Sequence, residues 1–336
     1  MSNYCDWERV QCNATTGRVI KLSLNDTRQF SQYYSLDRLP TLNLSLFHPF
    51  EELKSLDLSY NFFEGWHENR AYDGFRCLKQ LKILDLSYNY FNATLLPYLN
   101  NLTSLTTLNL GWNNMGEGLK SAKQGLANLS NLKVLNLDWN RINNSLSSLG
   151  LKMLRNLEEL DLSGNGMSGS LTLLGLANLT NLKSLDLSNN QISTSLASLG
   201  LQNLKNLEEL NMLNNGMSGS LTSLGLANLT NLKVLNLSWN RINNSLSSLG
   251  LKMLRNVEWL NLSGTRMSGS LTLLGLANLT NLKSLDLSNN QISTSLASLG
   301  LQNLKNLEEL NMLNNGMSGS LTSLGNINDN QYLSKF

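Results

Sequence analysis

The apolar residues of this chain follow one pattern, L-x-x-L-x-L-x-x-N, from residue 53 almost to the end. The pattern starts at Leu53, Leu81, Leu105, Leu132, Leu157, Leu182, Leu207, Leu232, Val257, Leu282 and Leu307. Successive starts are 28, 24 and 27 residues apart at first, and 25 residues apart from Leu132 onward. Eleven units at so short a period predict stacked coils that share one continuous core.

Each unit predicts a strand followed by a turn. In the L-x-L part, leucines alternate with polar residues, which is the period of a strand with one buried face. The Asn that follows carries an amide suited to backbone groups where the chain leaves the strand. Thr265 replaces this Asn once. We therefore predict an α/β fold, a right-handed solenoid of about eleven repeats with a parallel β-sheet on its concave face.

Two segments near the N-terminus add to this picture: CDWERVQCNATTGRVIKLSL at 5–24 and NLSLFHPFEELKSLDLS at 43–59. Together with the repeats, they resemble the extracellular leucine-rich repeat proteins of plants, of the receptor-like protein type. The resemblance implies a cap and first irregular coil over 1–52, repeats over 53–325, and a tail over 326–336 without a recognisable cap. The SGxIP motif of that group stands here as SGSLT or STSLA, so the convex side is expected to differ.

The cysteines and the N-x-S/T sequons agree with a secreted protein. The resemblance implies a disulfide between Cys5 and Cys12, the alternative being two reduced cysteines, and Cys77 is predicted to be buried rather than reactive. Thirteen sequons favour the secretory route. Glycans are expected at Asn13, Asn25, Asn92, Asn101, Asn128, Asn143, Asn178, Asn228, Asn243 and Asn278. Asn236 and Asn261 are expected to be bare because they project from strands into the concave face.

Composition and charge argue against several functions. The formal net charge is only +2, with acids and bases spread along the chain, so nothing marks a face for nucleic acid. No catalytic, phosphate-binding or metal-binding motif is present, and we predict no enzyme activity, no cofactor and no metal. Asp161, Asp186 and Asp286 share one predicted column; a hydrated polar face explains them better than a cation site. The sequence predicts neither a signal peptide nor a membrane span within these residues, and an extracellular location is expected.

Opposite charges alternate at the position after the first leucine of each unit. The series runs Lys133, Glu158, Lys183, Glu208, Lys233, Glu258, Lys283 and Glu308. Neighbouring parallel strands place such side chains next to each other, so we expect ion pairs that keep the coils in register.

Aromatic residues occupy the position before the Asn of the repeat pattern in four successive coils and in one later coil. These residues are Tyr60, Tyr88, Trp112, Trp139 and Trp239. Exposed Trp and Tyr side chains dominate binding hot spots, so we predict ligand contacts there. The alternative is that the rings only pack on one another or lie under glycans.

The chain also contains two near-identical blocks, 126–225 and 226–325, which differ at seven positions. The differing pairs are Ser130/Thr230, Asp138/Ser238, Leu157/Val257, Glu159/Trp259, Asp161/Asn261, Asn165/Thr265 and Gly166/Arg266. Five of them fall in one coil, which nominates Trp259 and Arg266 as ligand contacts. Leu213 and Leu313 join them, since they are leucines at an outward position that usually holds Ser.

The function predicted from these features is recognition of a protein, peptide or cell-wall ligand through the concave face, in defence or development signalling. A co-receptor is a further expected partner. One alternative is a structural solenoid that binds ice or a polymer through its Ser and Thr rows, or self-associates through its C-terminal end. Another is a secreted inhibitor of cell-wall enzymes.

Overall fold

A computed structural model describes most of the chain. The described residues are 3–27, 39–67, 74–119, 125–143, 146–169, 176–193, 201–218, 226–242, 254–269, 276, 278–293 and 304–316. The chain divides into two compact units, unit 1 over residues 1–165 and unit 2 over residues 166–336. Each unit is described separately below.

Unit 1 contains one main sheet and a small additional pair of strands. Its strands are β1 (Val10–Cys12), β2 (Val19–Ser23), β3 (Thr41–Asn43), β4 (Ser55–Asp57), β5 (Gly65–His67), β6 (Ile83–Asp85), β7 (Thr107–Asn109), β8 (Val134–Asn136) and β9 (Glu159–Asp161). The main sheet has the order β1-β2-β4-β6-β7-β8-β9, and β3 pairs with β5. Only β1 is antiparallel to its neighbour in this sheet.

Short helices connect the strands of unit 1. One four-residue α-helix, α1, covers Leu96–Leu99. The 3-10 helices cover Tyr4–Asp6, Leu44–Phe47, Gly74–Cys77, Ala93–Leu95, Leu146–Leu149 and Leu151–Met153. Within the described residues, none of the helices has the length and apolar character needed to cross a lipid bilayer.

Unit 2 repeats the same arrangement with regular spacing. Its strands are β10 (Ser168–Gly169), β11 (Ser184–Asp186), β12 (Gln191–Ile192), β13 (Glu209–Asn211), β14 (Val234–Asn236), β15 (Trp259–Asn261), β16 (Ser268–Gly269), β17 (Ser284–Asp286), β18 (Gln291–Ile292) and β19 (Glu309–Asn311). Its main sheet is parallel, with the order β11-β13-β14-β15-β17-β19. Two-stranded pairs form between β10 and β12 and between β16 and β18, and 3-10 helices cover Leu176–Asn178, Leu201–Asn203 and Leu226–Asn228.

The leucines of the repeat form the core in both units. In each coil the first leucine of the L-x-L segment is the central residue of a short strand and points inward, and Leu56, Leu84, Leu210 and Leu235 are completely buried. Full burial of a leucine side chain is worth about 1.5–3 kcal/mol, so the core gains from every coil that is added. The predicted α/β solenoid with a parallel sheet is confirmed, whereas the predicted domain boundaries remain predictions.

The Asn that ends each unit of the pattern forms a buried row, which we call the asparagine ladder. Its described members are Asn61, Asn89, Asn113, Asn140 and Asn165 in unit 1 and Asn190, Asn215, Asn240, Asn290 and Asn315 in unit 2. The Asn89 amide nitrogen lies 2.9–3.0 Å from the carbonyl oxygens of Leu58, Leu86 and Ser87. Its amide oxygen accepts the Phe63 N–H at 2.9 Å. Since Leu58 and Phe63 belong to the preceding coil, each Asn ties its own turn to its neighbour.

A second row of asparagines, the outer asparagine row, lies at the other end of the strands. Asn131 and Asn156 donate to the carbonyls of Thr103 and Ser130 in the preceding coils, both at 2.9 Å. Asn206, Asn231, Asn256 and Asn306 do the same in unit 2. The sequence analysis missed this row, although an Asn recurs just before the start of each unit from Leu132 onward.

Candidate recognition surface

The residue before each ladder Asn has a left-handed backbone in all eleven coils. In unit 1, φ is 57° for Tyr60, 53° for Tyr88, 55° for Trp112 and 50° for Trp139. The other coils have Gly164, Asn189, Asn214, Trp239, Gly264, Asn289 and Asn314, all at positive φ. Coil stacking fixes this turn, because the N–H of the residue donates to the next coil, as from Trp112 to the Asp138 carbonyl at 2.8 Å. Gly and Asn adopt this conformation readily, whereas bulky residues rarely do.

The four aromatic residues of unit 1 stack on one another, and we call them the aromatic ladder. Ring centroids are 4.0 Å apart between Tyr60 and Tyr88, 5.2 Å between Tyr88 and Trp112, and 5.0 Å between Trp112 and Trp139. The interplanar angles are 12°, 8° and 24°. The structure therefore brings together four of the residues that the sequence nominated.

The aromatic ladder is nevertheless exposed. Between 37% and 46% of each of the four residues is accessible to solvent. Trp139, at one end, lies against Gly164, where an added Cβ would be 2.5 Å from the indole Cδ2. Because neighbours cover the ring faces, the ladder presents mainly ring edges, which carry the positive side of the aromatic quadrupole.

The two tyrosines of the ladder also interact through their hydroxyl ends. A hydrogen bond with the Tyr60 side chain raises the pKa of Tyr88 to about 12, and burial and the charges of Tyr60 and Asp138 add to the shift. The Tyr88 hydroxyl therefore stays protonated even in mildly alkaline solution and remains a hydrogen-bond donor.

Unit 2 has a different surface at the same turn position. Trp239 is 56% exposed, and its ring lies on Gly264, where an added Cβ would be 3.0 Å from the indole Cδ2. Asn214 donates its side-chain amide to Asn189 at 3.0 Å, and Asn314 donates to Asn289 at 2.8 Å. Polar amide pairs thus replace the stacked rings in those coils.

The remaining nominated residues also lie in unit 2, on β15 and in the turns that follow the strands. Trp259 begins β15 and is half-buried between Val234 and Ser284 of the neighbouring strands. Arg266 is exposed, with φ 65°. Leu213 is half-buried, and its counterpart Leu313 is exposed.

The column of Asp and Asn residues on the strands has a structural use. In Asp186, Oδ1 accepts the Ser188 N–H at 2.8 Å and Oδ2 accepts the Asn211 amide at 2.8 Å. Asp286 bonds Ser288 and Asn311 in the same way. These bonds favour the prediction of a polar face over that of a cation site, and no cluster suited to a metal ion occurs among the described residues.

Three of the expected Lys–Glu pairs are present between neighbouring coils. The Nζ–Oε distances are 2.8 Å for Lys133–Glu158, 2.7 Å for Lys233–Glu208 and 2.6 Å for Lys283–Glu258. Hydrogen bonds with their lysines lower the pKa of Glu208 and Glu258, and the same bonds raise the pKa of Lys233 and Lys283.

The cap contains a disulfide between Cys5 and Cys12, as the family resemblance implies. It also contains a groove of about 580 Å³ that the sequence analysis missed; its walls include Tyr4, Trp7 and Phe50. Cys77 is half-buried, and burial raises the pKa of its thiol.

The sequons differ in accessibility. Asn101, Asn128, Asn143, Asn178, Asn228 and Asn278 are exposed, and Asn13, Asn25 and Asn92 are half-buried. Asn243 lies outside the described residues, as do most of the Ser and Thr rows considered for ice or polymer binding. Asn236 and Asn261 are half-buried on their strands, and their amide oxygens accept backbone N–H groups at 3.1 and 2.9 Å.

The chain matches three models of leucine-rich repeats, which together cover more than half of its length. The matched residues are 155–200, 180–225 and 280–329 for the two-copy model and 101–119, 228–245 and 80–102 for the single-repeat models. The chain therefore belongs to the leucine-rich repeat family.

Its sequence relatives include receptor-like proteins of Arabidopsis thaliana. It is 39% identical to receptor-like protein 9b over 169 residues and 42% identical to receptor-like protein 21 over 179 residues. The matches cover 50% and 51% of this chain but only 14% and 17% of those relatives. The chain thus matches less than a fifth of either relative, and the predicted resemblance to plant receptor-like proteins is confirmed.

Solved structures with a similar fold include two proteins that were solved in complexes. The mouse RP105/MD-1 complex has a TM-score of 0.64 and 28% identity, with 84% of this chain and 45% of that chain covered. The ectodomain of the plant receptor kinase GASSHO1/SCHENGEN3 from Arabidopsis thaliana, in complex with CASPARIAN STRIP INTEGRITY FACTOR 2, has a TM-score of 0.54 and 25% identity, with 96% and 45% covered. These similarities support ligand recognition or protein interaction as the general role of the chain.

Proposed function

We propose that this chain is an extracellular recognition module of the plant receptor-like type that binds a protein or peptide ligand. The aromatic ladder and the concave face next to it form the binding surface. The similarity to receptor-like proteins and to a plant ectodomain solved with a bound factor supports the class of function. The disulfide and the exposed sequons support an extracellular location.

The observation that most strongly supports this proposal is that the aromatic ladder lies at a turn with left-handed backbone conformation. A bulky residue held in this conformation costs about 1–3 kcal/mol, whereas each stacked aromatic pair returns about 0.5–1.5 kcal/mol. Four strained residues share three stacked pairs. Stacking therefore does not explain why rings stand where other coils have Gly or Asn. Strain that stability does not explain is typical of a binding site.

The test is the double variant Trp112→Asn/Trp139→Asn. Asn189 and Asn214 hold the same turn elsewhere, so the variant is expected to fold with a similar denaturation midpoint. Displayed random linear peptides are selected on the secreted native protein, and the enriched peptides are titrated by calorimetry against both proteins. We expect binding to the variant to be at least about tenfold weaker, because exposed aromatic anchors dominate such interfaces.

The matched control is Asn189→Gly/Asn214→Gly, which changes the same turn position in unit 2 and should leave the affinity unchanged. Equal binding of the enriched peptides to native protein and to the tryptophan variant would contradict the proposed site.

A further inference from the structure

Where the seven differences between the two blocks change the formal charge, they all make the second block more positive. Four of the differing pairs change charge: Asp138/Ser238, Glu159/Trp259, Asp161/Asn261 and Gly166/Arg266. Each of the four raises the formal charge of the second block by one unit. The other three pairs are neutral exchanges, so no difference runs in the opposite direction.

Two of these positions lie on the strand surface of unit 2. Trp259 and Asn261 are the first and last residues of β15, and both are half-buried. In the register of the sheet, Asn261 stands between Asn236 and Asp286. The second block therefore has an indole and an amide at two strand positions where the first block has two carboxylates.

Of the other two charged differences, Ser238 is buried in the preceding coil, and Arg266 lies at the end of the same coil as β15. Arg266 is exposed and follows Gly264, the residue on which the Trp239 ring lies, by two positions. Arg241 is exposed and has the same place in the preceding coil. The two coils are joined at this point by a hydrogen bond from the Trp239 N–H to the Ser263 carbonyl at 2.8 Å. These two neighbouring coils thus each carry an exposed arginine two positions after the turn residue, whereas the first block has Arg141 and Gly166 at these places.

This coil also gives up features that favour stability. Arg266 has a φ of 65°, close to the 66° of Gly166, a conformation that suits Gly far better than Arg. Thr265 replaces Asn165, whose amide lies 2.8 Å from the Leu137 carbonyl in the preceding coil. The Thr265 hydroxyl lies instead 2.7 Å from the Leu262 carbonyl oxygen of its own coil and 3.2 Å from Asn290 Oδ1 of the next coil, so the bond to the preceding coil is lost. Local rules are commonly broken in this way at functional sites.

We propose that Trp239, Arg241, Trp259, Asn261 and Arg266, here called the basic patch, bind an acidic peptide segment. The inference deepens the proposed function and rests on it. Arginine forks match carboxylate geometry, and the loss of carboxylates lowers repulsion toward an anionic ligand. Two acids next to the patch in sequence or sheet register are engaged: Glu258 pairs with Lys283 at 2.6 Å, and both oxygens of Asp286 accept hydrogen bonds.

A peptide fits the basic patch better than an acidic polysaccharide. The Trp239 ring lies on Gly264, so one of its faces is not free for stacking against a sugar ring. Side-chain carboxylates on an extended peptide, in contrast, reach guanidinium groups without needing a ring face.

The first block supplies the test sequence. The variant Ser238→Asp/Trp259→Glu/Asn261→Asp/Arg266→Gly restores at these positions the residues of two neighbouring coils that the same chain already folds in its first block. Hexaglutamate is titrated by calorimetry against both proteins at low and at raised salt. We expect salt-dependent binding to the native protein and at least about tenfold weaker binding to the variant.

The reciprocal variant Asp138→Ser/Glu159→Trp/Asp161→Asn/Gly166→Arg is expected to gain binding and raise the stoichiometry. Equal binding of hexaglutamate to native protein and to the first variant, or no binding to native protein, would overturn the inference. Binding of oligogalacturonate without binding of hexaglutamate would overturn the peptide assignment in favour of an acidic polysaccharide. None of these outcomes touches the aromatic ladder, whose test uses Trp112 and Trp139 with the basic patch intact.

Discussion

At the scale of single residues, one backbone angle organises the surface. The turn before each ladder Asn needs a positive φ, and five coils meet that need with Tyr or Trp instead of Gly or Asn. The sequence showed the aromatic stripe but not its strain, because φ depends on how the coils stack. Aromatic residues held at strained positions support a binding role more strongly than exposed aromatic residues alone.

Gly164 supports the end of the aromatic ladder, and Gly264 is its matched counterpart. Alanine at either position meets similar backbone strain, at φ +65° and +61°, but the added Cβ comes closer to Trp139 than to Trp239. We expect Gly164→Ala to destabilise by about 1 kcal/mol more than Gly264→Ala, since the Trp139 ring must shift. Denaturation midpoints and the near-ultraviolet circular dichroism of the stacked rings measure both effects. Equal losses for the two variants would contradict the close contact at Gly164.

Thr265 interrupts the asparagine ladder. Its counterpart Asn165 in the first block donates a hydrogen bond to the Leu137 carbonyl of the preceding coil, which Thr265 does not replace. Thr265→Asn is expected to raise the free energy of unfolding by about 1 kcal/mol, because the amide regains a bond to the preceding coil. Asn165→Thr, the reverse change in the first block, should lower it by at least as much. The measurement is the shift of the denaturant midpoint, and a destabilised Thr265→Asn protein would refute the explanation.

At the scale of elements, each coil is one short strand joined to its neighbours by the asparagine rows, and Lys133–Glu158, Lys233–Glu208 and Lys283–Glu258 add ion pairs between coils. The rows are buried or bonded to backbone carbonyls, so they contribute geometry as well as energy. The ion pairs are exposed, and exposed pairs contribute little. Register therefore depends mainly on the core and the asparagines, and less on charge than the alternating series predicts.

The ion pairs predict a pH dependence with a definite sign. Because the pKa of Glu208 and Glu258 is lowered in the folded protein, these residues stabilise the fold at pH values above the ordinary glutamate pKa. This stabilisation is lost as the pH falls below about 4.5. Because the pKa of Lys233 and Lys283 is raised in the folded protein, these residues stabilise the fold at pH values below about 10.5. This stabilisation is lost as the pH rises above that value.

Melting temperatures across pH and salt, compared with those of Lys233→Gln/Lys283→Gln, measure this contribution. We expect a small difference at neutral pH that shrinks at both extremes and with added salt. A difference that is independent of pH and salt would argue for a packing role of the lysine side chains.

At the scale of the whole molecule, the repeat places glycosylation sequons at two kinds of position. Asn128, Asn178, Asn228 and Asn278 recur every fifty residues and all four are exposed. The strand residues Asn236 and Asn261 also belong to sequons but are half-buried and bonded. The amides of the first group are therefore more accessible than those of Asn236 and Asn261.

This arrangement predicts the glycan map of the protein secreted from plant cells. We expect occupancy at the four exposed, regularly spaced asparagines and none at Asn236 or Asn261, because a transferase needs an accessible amide. Mass spectrometry of tryptic glycopeptides decides the matter. Glycans on Asn236 or Asn261 would obstruct the proposed concave surface and count against it.

The sequence by itself determined the architecture and the candidates for function. The spacing of leucines sets the period, the L-x-L alternation sets the strands, and the Asn at a fixed offset sets the turn, because each depends on local geometry that repeats. Comparison of the two blocks also needed no coordinates, and it nominated Trp259 and Arg266.

Only the tertiary structure decided how those residues act. It showed that Tyr60, Tyr88, Trp112 and Trp139 stack yet stay exposed, and that Asp186 and Asp286 are bonded within the sheet rather than open to a cation. Contacts between coils join residues about 25 positions apart, so no local pattern reveals which atoms meet. For that reason the stacked rings, the outer asparagine row and the groove in the cap became visible only when the coils were placed against one another.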